Sequence, residues 1–173
     1  MAATQRYHFL AAGVLLLTEL ILHPGVAGAG LPLVQSTCNS TAFYDLCVAA
    51  LAADPSSSTA DVPGLCAIAV SAAAANASAT ASFLTAANAS SACAAKYANA
   101  REALLAARVS LAEEAYDYAM VHVSAAAEYP AVCRTLFRRR YPPELAIREE
   151  GLRHLCTIAL NIISLLQTMH GHS

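Results

Sequence analysis

The chain reads as an all-α protein: an up-down-up-down four-helix bundle preceded by a short N-terminal helical hairpin and stapled by disulfides. Three observations predict it. Six cysteines, Cys38, Cys47, Cys66, Cys93, Cys133 and Cys156, follow an apolar leader, a usage that in an exported chain marks covalent staples. Long stretches are rich in Ala and poor in β-branched residues, which favours helix over strand. Glycine is missing between Gly64 and Gly151, and proline between Pro63 and Pro130, so the strong helix breakers fall only at joints.

Residues 1–29 read as a signal peptide. Arg6 charges its start, an apolar stretch runs from Phe9 to Leu22 with Thr18 and Glu19 as its only polar residues, and Pro24-Gly25 follows. Ala27-Gly28-Ala29 then offers small residues for cleavage before Gly30. The stretch is too short, and with Glu19 too polar, for a membrane anchor. The expected mature domain is 30–173, with no membrane attachment once the leader is removed. Export lets disulfides persist and opens three Asn-x-Ser/Thr sequons to glycosylation, at Asn39, Asn76 and Asn88. Asn39 lies between Cys38 and Cys47, where a glycan is hindered.

The hairpin is expected over about 33–53, because a bond across the close pair Cys38-x8-Cys47 requires the chain to reverse between them. Asp54-Pro55-Ser56-Ser57-Ser58 reads as a linker, and the bundle is expected over about 59–169. Thr59 or Asp61 caps its first helix, with Pro63 tolerated in the first turn. Leu65, Ile68, Ala72, Ala75, Ala79 and Ser82 make a weak stripe along that helix, and Asn88-Ala89-Ser90-Ser91 ends it. In the second helix Cys93, Tyr97, Ala100, Leu104, Ala107 and Leu111 recur every four then three residues, a clean bundle seam. A third helix over about 114–128 stops before Pro130, which disfavours helical geometry in the residue ahead of it. Cys133 follows in a short continuation. Arg138 to Pro143 reads as an exposed turn. The last helix opens near Glu149-Glu150 and presents Leu152, Leu155, Ala159, Ile162, Leu166 and Met169 as its stripe. Its apolar run is too short and too polar to span a membrane.

Composition narrows the function classes. The formal net charge is −2 and stays so without the leader, which removes Arg6 and Glu19 together. That is too weak for a nucleic-acid partner or an anionic membrane surface. The apolar fraction of 57% is largely Ala, which buries little area per residue. No catalytic constellation is evident. His170 and His172 lie on a tail, and His122 and His154 stand alone within helices. No two cysteines are close enough for a Cys-x2-Cys metal site, and no Gly-rich phosphate loop occurs. Glu113-Glu114 and Glu149-Glu150 are adjacent pairs whose members point to different helix faces. No cofactor or metal is expected. Arg134, Arg138, Arg139 and Arg140 form a basic patch, read as solvated charge near a helix C-terminus or as a contact for an acidic partner.

Five motifs in order carry a resemblance over about 34–167. They are Cys38-Asn39-Ser40-Thr41 with Tyr44-Asp45-Leu46-Cys47; Ala60-Asp61-Val62-Pro63-Gly64-Leu65; Cys93-x3-Tyr97-x2-Ala100-x3-Leu104; Val123-Ser124-Ala125-Ala126 leading to Cys133-x3-Phe137; and Leu155-Cys156-x2-Ala159-Leu160. Together they resemble the plant invertase and pectin methylesterase inhibitor family. The resemblance implies the hairpin-plus-bundle fold and disulfides Cys38–Cys47 and Cys93–Cys133, worth roughly 2.5–3 and about 4 kcal/mol by loop closure. It implies a non-enzymatic protein of the apoplast and cell wall, or of the vacuole. Such a protein would block pectin methylesterase, or alternatively acid invertase, by stoichiometric binding, as a monomer or weak homodimer. Cys66 departs from the family pattern; an even cysteine count in an exported chain points to a third bond, Cys66–Cys156, over two buried thiols. Phe43-Tyr44 stands where many members have Tyr-Pro. A Pro-Lys-Phe segment used by some invertase inhibitors is missing, which favours the pectin methylesterase reading. The reading from another class is an Ala-rich secreted glycoprotein with no enzyme target.

Overall fold

The computed structural model describes residues 31–137 and 140–171. The leader expected at residues 1–29 lies outside these, as do Arg138, Arg139 and His172. The described residues form seven α-helices. A hairpin pairs α1 (Leu31–Cys38) with α2 (Tyr44–Ala52), and a 3-10 turn (Pro55–Ser58) leads on. The bundle follows: α3 (Val62–Ala86), α4 (Ser91–Ala112), α5 (Tyr116–Glu128), a short α6 (Ala131–Phe137) and α7 (Pro143–His170). No strand occurs among the described residues, so the all-α expectation holds.

The bundle closes as a ring. Helix α3 packs on α4 and α7, and α5 packs on α4 and α7. The α4 seam buries all six residues of its four-three stripe, from Cys93 to Leu111. On α7, Leu152, Leu155, Ala159, Ile162 and Leu166 face the core, while Met169 is exposed. Helices α3 and α7 are long and apolar enough to cross a membrane by length and composition; both sink one side into the core and read as core helices.

Local chemistry sets the joints. Asp61, not Thr59, caps α3: its Oδ1 accepts from the Gly64 amide at 2.8 Å. A Cβ at Gly64 would stand 3.0 Å from Ala60 Cβ and from Asp61 Oδ1, so glycine lets the cap close. Ser90 caps α4 by accepting from the Cys93 amide at 3.2 Å. Helix α3 ends without glycine: Asn88 adopts φ 46°, while Ala89 N donates to Leu84 O at 3.1 Å and Asn88 N to Thr85 O at 3.1 Å. This paired pattern is a Schellman motif. Helix α4 ends the same way, with Glu114 at φ 56° and Ala115 N and Glu114 N donating to Ser110 O and Leu111 O.

Three expectations about the helices need correction. On α3, Leu65 and Ile68 are buried, but Ala75, Ala79 and Ser82 face solvent; the buried line runs through Ala69, Ala73, Ala77, Thr80 and Leu84 instead. Helix α7 begins at Pro143 rather than near Glu149, because a proline in the first turn loses no hydrogen bond there. Tyr129 keeps helical dihedrals (φ −53°, ψ −43°) although it precedes a proline. The break between α5 and α6 follows from the missing amide of Pro130.

Two disulfides staple the fold. Cys38–Cys47 joins α1 to α2, and Cys93–Cys133 joins α4 to α6. The third bond expected from the sequence is not formed: Cys66 and Cys156 are free, buried thiols. Register explains why. The position of Gly151 faces Asn76, and Arg148 lies over the Phe83 ring, so α3 and α7 run antiparallel. Cys66 therefore stands level with a position well beyond Cys156 on α7. The mismatch is five to nine residues, about 8–13 Å along the axis, whereas bonded cysteines need Cα atoms within roughly 7 Å. Burial pushes both thiols up to about 12, which leaves them protonated and unreactive.

Candidate functional site

The hairpin covers one side of the bundle. It packs on α3 and α7, and α7 holds it by two contacts between the helices. The Phe43 ring stacks on His154 with centroids 4.0 Å apart, and the Ala42 amide donates to Asn161 Oδ1 at 3.0 Å. His154 thus serves as a seat for the hairpin; Glu150 Oε1 lies 3.6 Å from its Nε2.

At the end of the bundle where α4 begins and α7 begins, a polar cluster engages Arg134, one of the four arginines of the basic patch. Arg134 Nε donates to Glu149 Oε1 at 2.9 Å, and Tyr141 donates to Glu149 Oε2. The Glu149 side chain is only 12% exposed. The Arg134 guanidinium also lies over the Tyr141 ring, 5.1 Å from its centroid. Tyr97 is buried beside this group, and its hydroxyl has no well-formed hydrogen bond. Burial, with the Glu149 charge second, holds the Tyr97 phenol above its ordinary range. Burial, then the hydrogen bond to Glu149, does the same for Tyr141. Arg134 is therefore committed to a structural ion pair. Arg140 is exposed, and Arg138 and Arg139 fall outside the described residues.

The opposite end holds His170. Its Nδ1 meets Leu166 O at 2.9 Å, so Nε2 is left to accept from the Tyr116 hydroxyl at 3.4 Å. Gln167 Nε2 donates to Asp117 Oδ1 at 2.7 Å and ties α7 to the first turn of α5. His122 is half-buried on α5. No cluster of metal-ligating side chains occurs among the described residues.

Several surfaces that can engage a partner are apolar and exposed. Helix α5 presents Tyr118 and Val121, 69% and 64% exposed, one turn apart. Helix α6 continues with exposed Val132 and Leu136. A separate groove of about 680 Å³ runs between α3 and α4, lined by Pro63, Ala67, Leu105 and Val109 with Arg108 and Glu113 at its rim. Helix pattern alone put Tyr118 and Val121 on the outer side of α5 once Tyr116, Ala119, Val123 and Ala126 are taken as its core positions. The sequence reading had not singled them out.

A preformed helical body, disulfide-stapled and offering rigid outer faces, defines a binding protein. The chain belongs to the plant invertase/pectin methylesterase inhibitor family, whose model matches residues 32–162. It is similar to pectinesterase inhibitor 28 of Oryza sativa subsp. japonica, 55% identical over 163 residues that cover 82% of this chain and 72% of that protein. It is also similar to cell wall / vacuolar inhibitor of fructosidase 2 of Arabidopsis thaliana, 41% identical over 149 residues, 78% of this chain and 83% of that one. Its fold matches the crystal structure of a mutant form of a pectin methylesterase inhibitor from Arabidopsis at a TM-score of 0.62 and 21% identity, covering 76% of this chain and 95% of that one. The family is one of inhibitors, and this protein is not an enzyme.

Proposed function

We propose that this protein is a secreted inhibitor of pectin methylesterase that acts by stoichiometric binding over the target's active-site cleft. The observation that carries the choice of target is the 55% identity to a pectinesterase inhibitor over most of the chain, against 41% to an inhibitor of fructosidase. The outer face of α5 around Tyr118 and Val121 is the surface we assign to the target. The hairpin occupies the α3 and α7 side, whereas this face is open and carries an aromatic residue of the type that dominates interface energies. The domain is 30–173 after removal of the leader, and its compartment is the cell wall space. Titration of the purified protein into a plant pectin methylesterase, with methanol release followed, is the test. Falling release that saturates at one inhibitor per enzyme is the expected result, and unchanged release at micromolar excess refutes it. Acid invertase, followed by glucose release, is the control that separates the two family targets.

A further inference from the structure

The three sequons differ in what the folded chain can carry. Asn76 lies in the middle of α3, and its Nδ2, the atom a glycan would occupy, is 3.5 Å from where a Cβ on Gly151 of α7 would stand. Its Oδ1 is buried without a partner. The amide is thus half-buried at the α3–α7 contact, where a sugar on Nδ2 would crowd the α7 backbone at Gly151. Asn88 is the opposite case. It is exposed in the α3–α4 connection, held at φ 46° by the Schellman motif, so its side chain projects outside both helices. Asn39, where the Cys38–Cys47 loop was expected to hinder a glycan, is exposed in the turn after α1 even with that bond formed.

We infer that the exported protein carries N-linked glycans on Asn39 and Asn88 and none on Asn76. This rests on the secretory reading of the leader. The donor is a membrane-lipid pyrophosphate oligosaccharide. The asparagine Nδ2 forms a bond to the anomeric carbon, the bond from that carbon to the pyrophosphate oxygen breaks, and the lipid pyrophosphate leaves with the electron pair. The amide proton passes to a base of the transferase. Transfer acts on the nascent chain, so a sugar at Asn76 crowds the closing of α3 on α7 and disfavours export of that chain in folded form. Asn88 lies at the opposite end of the long α4 from Tyr118, about 30 Å away along a helix of this length. A glycan there leaves the α5 face open.

The full chain is translated with secretory microsomes and also expressed in a plant host whose medium is collected. Protection from added protease inside the microsomes reads export alone; an unprotected chain overturns the secretory reading, and the glycan assignment falls with it. For exported chain, glycopeptide mapping with enzymatic deglycosylation in heavy-oxygen water marks each modified asparagine as aspartate. The expected result is marking at Asn39 and Asn88, a one-step mobility gain for Asn39→Gln and for Asn88→Gly, and no change for Asn76→Gln. Asn88→Gly keeps the left-handed backbone that this turn requires. A marked Asn76 in exported protein, or an unmarked Asn39 or Asn88, overturns the inference.

Discussion

Replacing Cys93 and Cys133 together by Ala tests whether the bundle depends on its covalent link. The bond closes 40 residues of sequence, which in the chain-entropy treatment amounts to about 4 kcal/mol taken from the unfolded state. Both sulfurs are fully buried, and two small voids add about 1 kcal/mol. The hairpin bond spans only 9 residues, worth roughly 2.5–3 kcal/mol. A domain of ordinary stability holds about 5–15 kcal/mol in total. The Cys93/Cys133 variant should therefore sit near the edge of folding. Cys38 and Cys47 are equally buried, so with the same void term the Cys38/Cys47 variant should lose roughly 3.5–4 kcal/mol and free the hairpin while the bundle persists. Urea denaturation followed by far-ultraviolet circular dichroism measures both. A larger m-value in either variant is expected as well, because an uncrosslinked unfolded chain exposes more surface. The reasoning fails if the Cys93/Cys133 variant loses under about 1 kcal/mol, well below the loop-closure value, or if the hairpin variant proves the less stable of the two.

Native protein should be silent to a disulfide-exchange thiol reagent, and denaturation without reductant should release two thiols per chain, Cys66 and Cys156; no release would mean that they are bonded. Glu114→Gly should stabilise the protein by about 0.5–1 kcal/mol, because relief of the roughly 1–2 kcal/mol left-handed penalty is partly offset by glycine's greater freedom in the unfolded chain, about 0.5–1 kcal/mol. A lower melting temperature would contradict the left-handed turn at φ 56°. Tyr118→Ala with Val121→Ser should weaken inhibition of pectin methylesterase at least tenfold, about 1.4 kcal/mol, with no change in helix content. Full inhibition would place the target elsewhere on the bundle.

The fold was largely legible in the sequence, and its main failures come from lost helix register. Helix α4 was readable because Tyr97, Leu104 and Leu111 mark its seam among small residues. Helix α3 was not, because Ala fills both its buried and its exposed sides, and a stripe of Ala carries no phase. Its true register is set by Leu65, Ile68 and Val70 at one end and Leu84 at the other. The same loss of register hid the Cys66–Cys156 mismatch: pairing two adjacent helices says nothing about axial position, and only contacts such as Arg148 with Phe83 fix it. The ion pair of Arg134 was not foreseen because its partner, Glu149, had been taken as a helix-start charge, when α7 in fact begins six residues earlier. Glu149 therefore lies inside the helix, where it can meet Arg134 and Tyr141.

An Ala-rich bundle gains little from burial per residue, and for a binding protein this matters beyond stability. Ordering a flexible side chain or segment on association costs about 0.5–1.5 kcal/mol each, so a docking face is effective only when folding has already fixed it. Helix α5 is fixed at several points. Tyr116, Ala119, Val123 and Ala126 anchor its inner side, Gln167 holds Asp117 in its first turn, and the Cys93–Cys133 bond secures the chain just beyond its last turn. Tyr118 and Val121 lie between these restraints. The cross-links, the Arg134–Glu149–Tyr141 cluster and the hairpin seated on His154 thus act together: each removes freedom from the chain before a partner arrives, leaving the outer face of α5 with little ordering left to do on contact.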